Sequence, residues 1–163
     1  KLVWFNHEYI INKTDEEIAN LFAPVLEAHG VKESHERIVK AVSLVKNRVN
    51  FVGELWNQTS YLFQAPESFD EKSLKKWWKD EAPRTTAELC DFIESEPDFT
   101  GAVLEPRVME WIASKGYGIG KVMNALRVTL VGAAVGPHIF EITDFIGKEE
   151  TLARARKAIS TLS

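Results

Sequence analysis

Apolar residues recur with helical spacing along most of the chain, and the residues between them are of the kinds that begin and end helices. In residues 14–30, Ile18, Leu21, Phe22, Val25 and Leu26 fall at i, i+3, i+4, i+7 and i+8, the stripe of an amphipathic helix. Thr14 and Glu17 have capping-box spacing and Gly30 stands where a C-terminal cap belongs, with a kink expected at Pro24. Residues 34–49 place Ile38, Val39, Val42 and Val45 on one face of a second helix that ends near Arg48. The stretch "QAPESFD", residues 64–70, breaks the periodicity and marks a boundary, so two subdomains are expected, residues 1–66 and 67–163.

Beyond the boundary, residues 85–95 offer Leu89, Phe92 and Ile93 as a buried stripe that Pro97 terminates. Residues 100–115 turn Val103, Leu104, Val108, Trp111 and Ile112 inward, with Pro106 early enough to be tolerated. "GYGIG", residues 116–120, reads as a helix cap and a short turn. It lacks a full GxGxxG, a preceding strand and a following Lys-Ser or Lys-Thr pair, so a phosphate loop is set aside. A helix over 121–131 stops at Gly132, residues 133–136 form a loop, Pro137 opens a short helix, and residues 148–162 form the last one. No alternating run is bounded by hairpin turns, and no repeat of fixed period is present. The expected fold is all-α, built as two small helical subdomains.

Composition narrows the picture. At 163 residues the chain can bury a core without a disulfide or a structural metal. One cysteine, Cys90, allows no internal disulfide, and four scattered histidines form no metal-ligand cluster, which points to a reducing, cytoplasmic setting. No window approaches the ~20 apolar residues of a membrane span. The chain begins at Lys1 rather than Met, which suggests a fragment whose chemistry lies upstream. A net charge of −4 argues against a general polyanion binder. The charge is uneven, however: residues 64–100 carry ten acidic and five basic side chains, and residues 118–163 four acidic and six basic, so an anionic partner would meet the C-terminal part.

Catalytic constellations are missing: there is no GxSxG elbow, no P-loop, and no nucleophile set beside a histidine and a carboxylate. His7, His29, His35 and His138 read as surface or helix-end residues, and Cys90 as a small apolar side chain beside Leu89 and Phe92. Glu16–Glu17 and Glu149–Glu150 lie in first helical turns, where they favour the helix dipole. Trp4, Trp56 and Trp111 fall on apolar stripes, whereas Trp77–Trp78, flanked by lysines, invite a base-stacking reading; neighbours in a helix point apart, so at least one packs inward. Lys121, Asn124 and Arg127, at i, i+3 and i+6, form one polar edge of a helix. Pro137 at a first helical position would leave the next backbone N–H groups facing outward as donors beside that edge. Together these suit a small polar pocket; they also suit a plain helix corner with a solvated face.

"KLVWFNHEYI" (1–10) resembles the segment that follows the catalytic core of bacterial glutamyl-tRNA synthetases. "ALRVTLVGAAVGPHIFEITDFIGKEETLARARKAI" (125–159) resembles the C-terminal end of the same enzymes, and "GYGIGKVMNALR" (116–127) their connecting segment. The resemblance implies a class I aminoacyl-tRNA synthetase whose all-α C-terminal part reads the anticodon. An upstream Rossmann-type domain would activate glutamate with ATP and magnesium. The catalytic signatures of that domain are absent here, so the chain is expected to bind the anticodon loop of the tRNA for glutamate, as a monomer, and to catalyse nothing.

By resemblance, Arg48 in "LVKNRVNF" inspects the third anticodon base. Cytosine, which ends glutamate anticodons, offers a guanidinium two acceptors; guanine, which ends glutamine anticodons, confronts it with donors, a mismatch of about 1–3 kcal/mol. The first and second bases are expected to meet Asn124, Arg127, Gly136, Pro137 and Ile139 in a pocket for splayed bases. Two departures stand out: some relatives carry a hydroxyl residue at the position of Gly136, and a further arginine of some members falls on Met109. A rival from another class is a helical protein-interaction module whose acidic middle, residues 69–98, meets a basic partner.

Overall fold

A computed structural model describes residues 9–162, so Trp4, His7 and most of the opening "KLVWFNHEYI" lie outside the described residues. Two compact units divide the chain, Lys1–Gln64 and Ala65–Ser163.

In the first unit α1 spans Asp15–Ala28, α2 His35–Val45 and α3 Leu55–Phe63. The Thr14 hydroxyl accepts the Glu17 N–H (3.1 Å) while the Glu17 carboxylate accepts the Thr14 N–H (2.9 Å), which closes both ends of the capping box. α1 runs through Pro24 as a single element and ends where Gly30, at φ 76°, turns the chain left-handed. There the Val31 N–H reaches the Leu26 carbonyl and the Gly30 N–H the Glu27 carbonyl, so the last carbonyls are satisfied. Ile18, Phe22 and Leu26 from α1, Val42 and Val45 from α2, and Leu55 from α3 meet in one core. Trp56 packs half-buried at its edge with its ring stacked on His29, centroids 3.9 Å apart.

α2 stops short of the expected 49. Its last turn tightens into a 3-10 turn, Lys46–Arg48, where the Lys46 ammonium bonds the Lys13 carbonyl (2.7 Å) and Asp15 (3.1 Å). The chain then extends, and Phe51 forms an isolated antiparallel bridge with Tyr9. The helix Leu55–Phe63 is an element the sequence pattern did not delimit.

The second unit holds α4 (Glu71–Trp77), α5 (Ala82–Glu94), α6 (Gly101–Lys115), α7 (Ile119–Val131) and α8 (Ile139–Leu162). Gly147, at φ 87° and ψ 170°, interrupts α8, so a short helix and a longer one meet there. Leu89, Ile93, Leu104, Ile112, Leu126, Leu130 and Phe140 form the core. Cys90 belongs to it, and burial pushes its thiol up to about 11, so it packs as an apolar side chain. Met109 is half-buried against the same core.

Polar side chains also fasten this unit. Asp144 of α8 accepts the Gly101 N–H at the start of α6 (2.8 Å), and Arg107 grips Glu96 with two hydrogen bonds. The buried Arg154 donates to the Leu130 carbonyl (2.8 Å) and to Glu150 (2.7 Å). At the end of α7, Gly132 has φ 93°, and a Cβ there would lie 2.8 Å from the Ser68 carbonyl oxygen. Only glycine permits both the turn and that approach. No helix among the described residues is long and apolar enough to cross a membrane.

Candidate functional site

Arg48 closes the 3-10 turn that α2 becomes. The turn is pinned on one side by Lys46 and on the other by Glu54, whose carboxylate accepts the N–H groups of Asn50 and Phe51 (3.1 Å each). Val49 is buried, which leaves Arg48 pointing to solvent, exposed and with no side-chain hydrogen bond or ion pair among the described residues. A fixed backbone thus presents an uncommitted planar donor, the property that recognition of a base edge requires.

In the second unit Arg127 sits on α7 and does reach the Gly136–Pro137 break, but as a clamp. One terminal nitrogen donates to the Pro137 carbonyl (2.6 Å) and to the Val135 carbonyl (3.2 Å). The half-buried guanidinium therefore shapes the loop instead of standing across a pocket from it. Further hold comes from Ser73, whose hydroxyl accepts the Ala134 N–H (3.1 Å), and from Gly132, whose carbonyl accepts the Asp70 N–H (2.8 Å). Gly136 itself has φ 111°, which lets the chain reverse direction before α8.

The helix start that follows departs from the expectation. Pro137 is buried and lies two residues ahead of α8, so it does not occupy the first helical position. His138 is the cap: its carbonyl accepts the N–H groups of Glu141 (2.9 Å) and Ile142 (3.3 Å), and its ring Nδ1 accepts the Phe140 N–H (3.2 Å). With Nδ1 an acceptor, Nε2 carries the proton and donates to Glu105 (3.1 Å). The donors expected to face outward are in part already used, because an aromatic nitrogen can cap a helix much as a hydroxyl does. Nothing in the local pattern distinguishes a capping His138 from a surface one.

Asn124 donates back to the Gly120 carbonyl (2.9 Å), four residues earlier, which fixes its amide along the α7 edge. Ile139 is buried in the core, so what it offers a ligand is backbone and the shape of the turn. Val135, at the loop tip, is 60% exposed and is the apolar surface that the residue pattern did not single out. The structure thus gathers Arg127, Gly136, Pro137 and Ile139 around the end of α7 and the start of α8, whereas Asn124, a turn earlier on α7, faces back to Gly120 and Arg48 belongs to the other unit.

Of the tryptophan pair, Trp78 is buried and Trp77 half-buried, with the Lys76 ammonium 5.0 Å from its ring centroid. The acidic stretch 69–98 is largely committed inside its own unit. The Ser73 hydroxyl holds the Asp70 carboxyl below its ordinary range, the Tyr117 hydroxyl and Arg84 do so for Glu88, Arg156 for Glu94, Arg107 for Glu96, and Thr100 for Asp98. Carboxylates already satisfied in this way leave little for the basic partner that a protein-interaction module would need.

Comparison with known proteins bears on the chain as a whole. The family described as anticodon binding domain matches residues 17–159, across both units. A glutamate–tRNA ligase of Phocaeicola vulgatus is 47% identical over 98% of this chain, and one of Bacteroides fragilis 49% identical over 99%. The crystal structure of a glutamate tRNA ligase from Elizabethkingia meningosepticum in complex with its amino acid superposes at TM-score 0.89, with 40% identity over 98% of this chain. In each case the chain spans about a third (32%) of the relative's length.

Proposed function

The chain belongs to the anticodon binding domain family, and from that premise we propose that it is the anticodon-reading part of a glutamate–tRNA ligase, with the tRNA for glutamate as its partner. The observation that carries the reading is the likeness of nearly the whole chain, 98% of it, to one third of a glutamate tRNA ligase in sequence and fold alike. The activity of the whole enzyme, attachment of glutamate to tRNA with ATP and magnesium, belongs in this reading to the part of the relatives that the chain does not span. The chain itself supplies recognition and no catalytic group, and it acts as a monomer in the cytoplasm.

The residues divide the work by chemistry. In this reading Arg48, exposed on its turn, donates to the O2 and N3 acceptors of a cytosine at the third anticodon position; guanine there would set donor against donor. Arg127, Asn124, Gly136, Pro137 and Ile139 hold the first and second bases, as single-stranded RNA is generally read, by shape and backbone as well as by side chains. Arg127 takes part in this chiefly by fixing the carbonyls of Val135 and Pro137, so that the loop is preorganised before RNA arrives.

The test is equilibrium binding of anticodon stem-loops ending in C and in G. The wild-type chain is expected to prefer the C-ended loop by about 5- to 150-fold, the equivalent of the donor mismatch. Arg48→Ala should reduce that preference toward unity. Equal binding of both loops by the wild type would remove the decoding assignment, and binding of neither would remove the RNA-binding reading altogether.

A further inference from the structure

At the end of α7 opposite the Gly136–Pro137 break, the end of α4, the turn into α5 and residues 116–122 enclose a cleft of about 460 Å³. We propose that this cleft is a second RNA-contact site, taking one nucleotide of the same strand outside the decoded bases: its phosphate against Lys76, Lys79 and Lys121, its base against Trp77 and Tyr117. The proposal rests on the anticodon-reading assignment above and adds to it a contact that carries affinity without reading sequence.

Charge commitment is the first argument. In this unit Arg84, Arg107, Arg154 and Arg156 are each held in ion pairs. Lys76, Lys79 and Lys121 line the cleft, are exposed, and make no side-chain hydrogen bond or ion pair among the described residues. Two carboxylates line it as well. Glu81 is paired with Arg84 (2.8 Å), which leaves Asp80 as the one uncompensated negative charge against three ammonium groups. Asp80 has φ 55°, so it forms the left-handed corner that turns α4 into α5 and carries Lys79 to the cleft rim.

The aromatic wall is the second argument. Tyr117 is held by its hydroxyl, which donates to Glu88 (2.6 Å) and accepts from Arg84 (3.3 Å), by edge contact with Trp111 (5.9 Å), and by the Arg84 guanidinium over its ring (6.0 Å). Trp77 is only half-buried and has an ammonium poised over its ring (5.0 Å), so a cation is pre-positioned beside a π-face. Rings beside lysines are the elements with which proteins hold single strands whatever their sequence, since every base has a stacking face and every linkage a phosphate.

Continuity is the third. Lys121 opens the polar edge that runs through Asn124 to Arg127, about 9 Å along the helix at 1.5 Å per residue. A strand whose bases are read at the Arg127 end and that follows this edge reaches the cleft at the other end. A free mononucleotide has the same base and phosphate chemistry, and this continuity is what favours the strand.

The experiment titrates C-ended and G-ended stem-loops, and separately AMP, into the wild type, Lys76→Gln/Lys79→Gln and Lys76→Arg/Lys79→Arg over a range of salt concentrations. The glutamine variant is expected to lose about tenfold in affinity for both loops alike. Its slope of log affinity against log salt should fall by about 1 to 2, and its C-over-G preference should stay intact. The arginine variant should bind like the wild type. Trp77→Ala should weaken both loops by about 5-fold or more while Trp77→Phe does not; should the alanine variant unfold by circular dichroism, the lysine variants decide. Unchanged affinity and salt slope in the glutamine variant would overturn the cleft while leaving decoding in place. AMP binding that the variant loses, with loop binding unaffected, would assign the cleft to a free nucleotide and overturn the RNA contact. Absence of loop binding in the wild type would overturn both this and the reading it rests on.

Discussion

The two units hold a guanidinium by different means. In the first, Lys46 and Glu54 pin a backbone turn from either side, and Arg48 projects from it with no partner among the described residues. In the second, the loop 132–138 between α7 and α8 takes its shape from polar contacts: Arg127 on the carbonyls of Val135 and Pro137, Ser73 on the Ala134 N–H, and His138 capping α8. The difference teaches which experiments can be read cleanly. Removing an uncommitted donor subtracts recognition alone, whereas removing a donor that also builds its site subtracts recognition and structure together.

The largest effect is expected where the second design is tightest. Gly132→Ala would force a Cβ to within 2.8 Å of the Ser68 carbonyl oxygen at φ 93°. Strain and displacement together should cost the second unit about 3 kcal/mol. Urea unfolding should then show the second unit melting early and stem-loop binding lost with it, while helix signals from the first unit persist. A variant that unfolds like the wild type would show that this close approach does not hold the loop.

Next comes Arg127→Ala. It leaves two loop carbonyls without their donor and should lower stability by about 1–2 kcal/mol, with little change in helix content and weaker binding of both stem-loops. Arg127→Lys keeps the charge but not the planar fork, so it should recover stability only in part. Arg48→Ala is the control that sharpens the contrast: stability within about 0.5 kcal/mol of wild type, and the whole effect in the choice between C and G. An Arg127→Ala chain as stable as the wild type would put the two guanidinium groups in one class and dissolve the comparison.

How much of this was legible in the sequence follows the same line. Features carried by local spacing were readable: the Thr14–Glu17 capping box, the stripe of α5, that of α6 except for Val103, which was expected inward but is 42% exposed in the first helical turn, the Gly116 cap, and the stop at Gly132. α3 and α4 were not delimited. One lies in a stretch where Trp56, Tyr61 and Phe63 blur the polar face, and the other is only seven residues long. At the candidate site, the polar edge Lys121–Asn124–Arg127 and its nearness to the Gly136–Pro137 break could be read from helical geometry. The direction of the contact could not, because which acceptors a guanidinium finds ten residues away depends on how α7 and α8 pack. The same holds for His138: its role as a cap is decided by the turn that Gly136 makes, and Pro137 was credited with the helix start for want of that information.

The smallest effect expected is a difference in acid sensitivity, and its sign follows from the carboxylates. Among the described residues, Asp70, Glu88, Glu94, Glu96 and Asp98 of the second unit are held below their ordinary range by hydrogen bonds and ion pairs, and Glu17 of the first by Thr14. A carboxylate whose folded pKa lies below its unfolded value, about 4 to 4.5, contributes stability in full above that value and loses it as pH falls through the folded one. Each contribution is small where the group meets solvent and is screened, as all but the buried Glu96 do. Their number should nonetheless make the second unit's urea midpoint fall more steeply than the first's below about pH 4.5, as followed by amide exchange in each unit. Arg107→Ala refines the point. Without its partner Glu96 returns toward its ordinary range, so stability near neutral pH should drop slightly and the dependence on pH below about 4.5 should flatten. Equal slopes for the two units would mean that the polar fastening of the second is not what sets it apart.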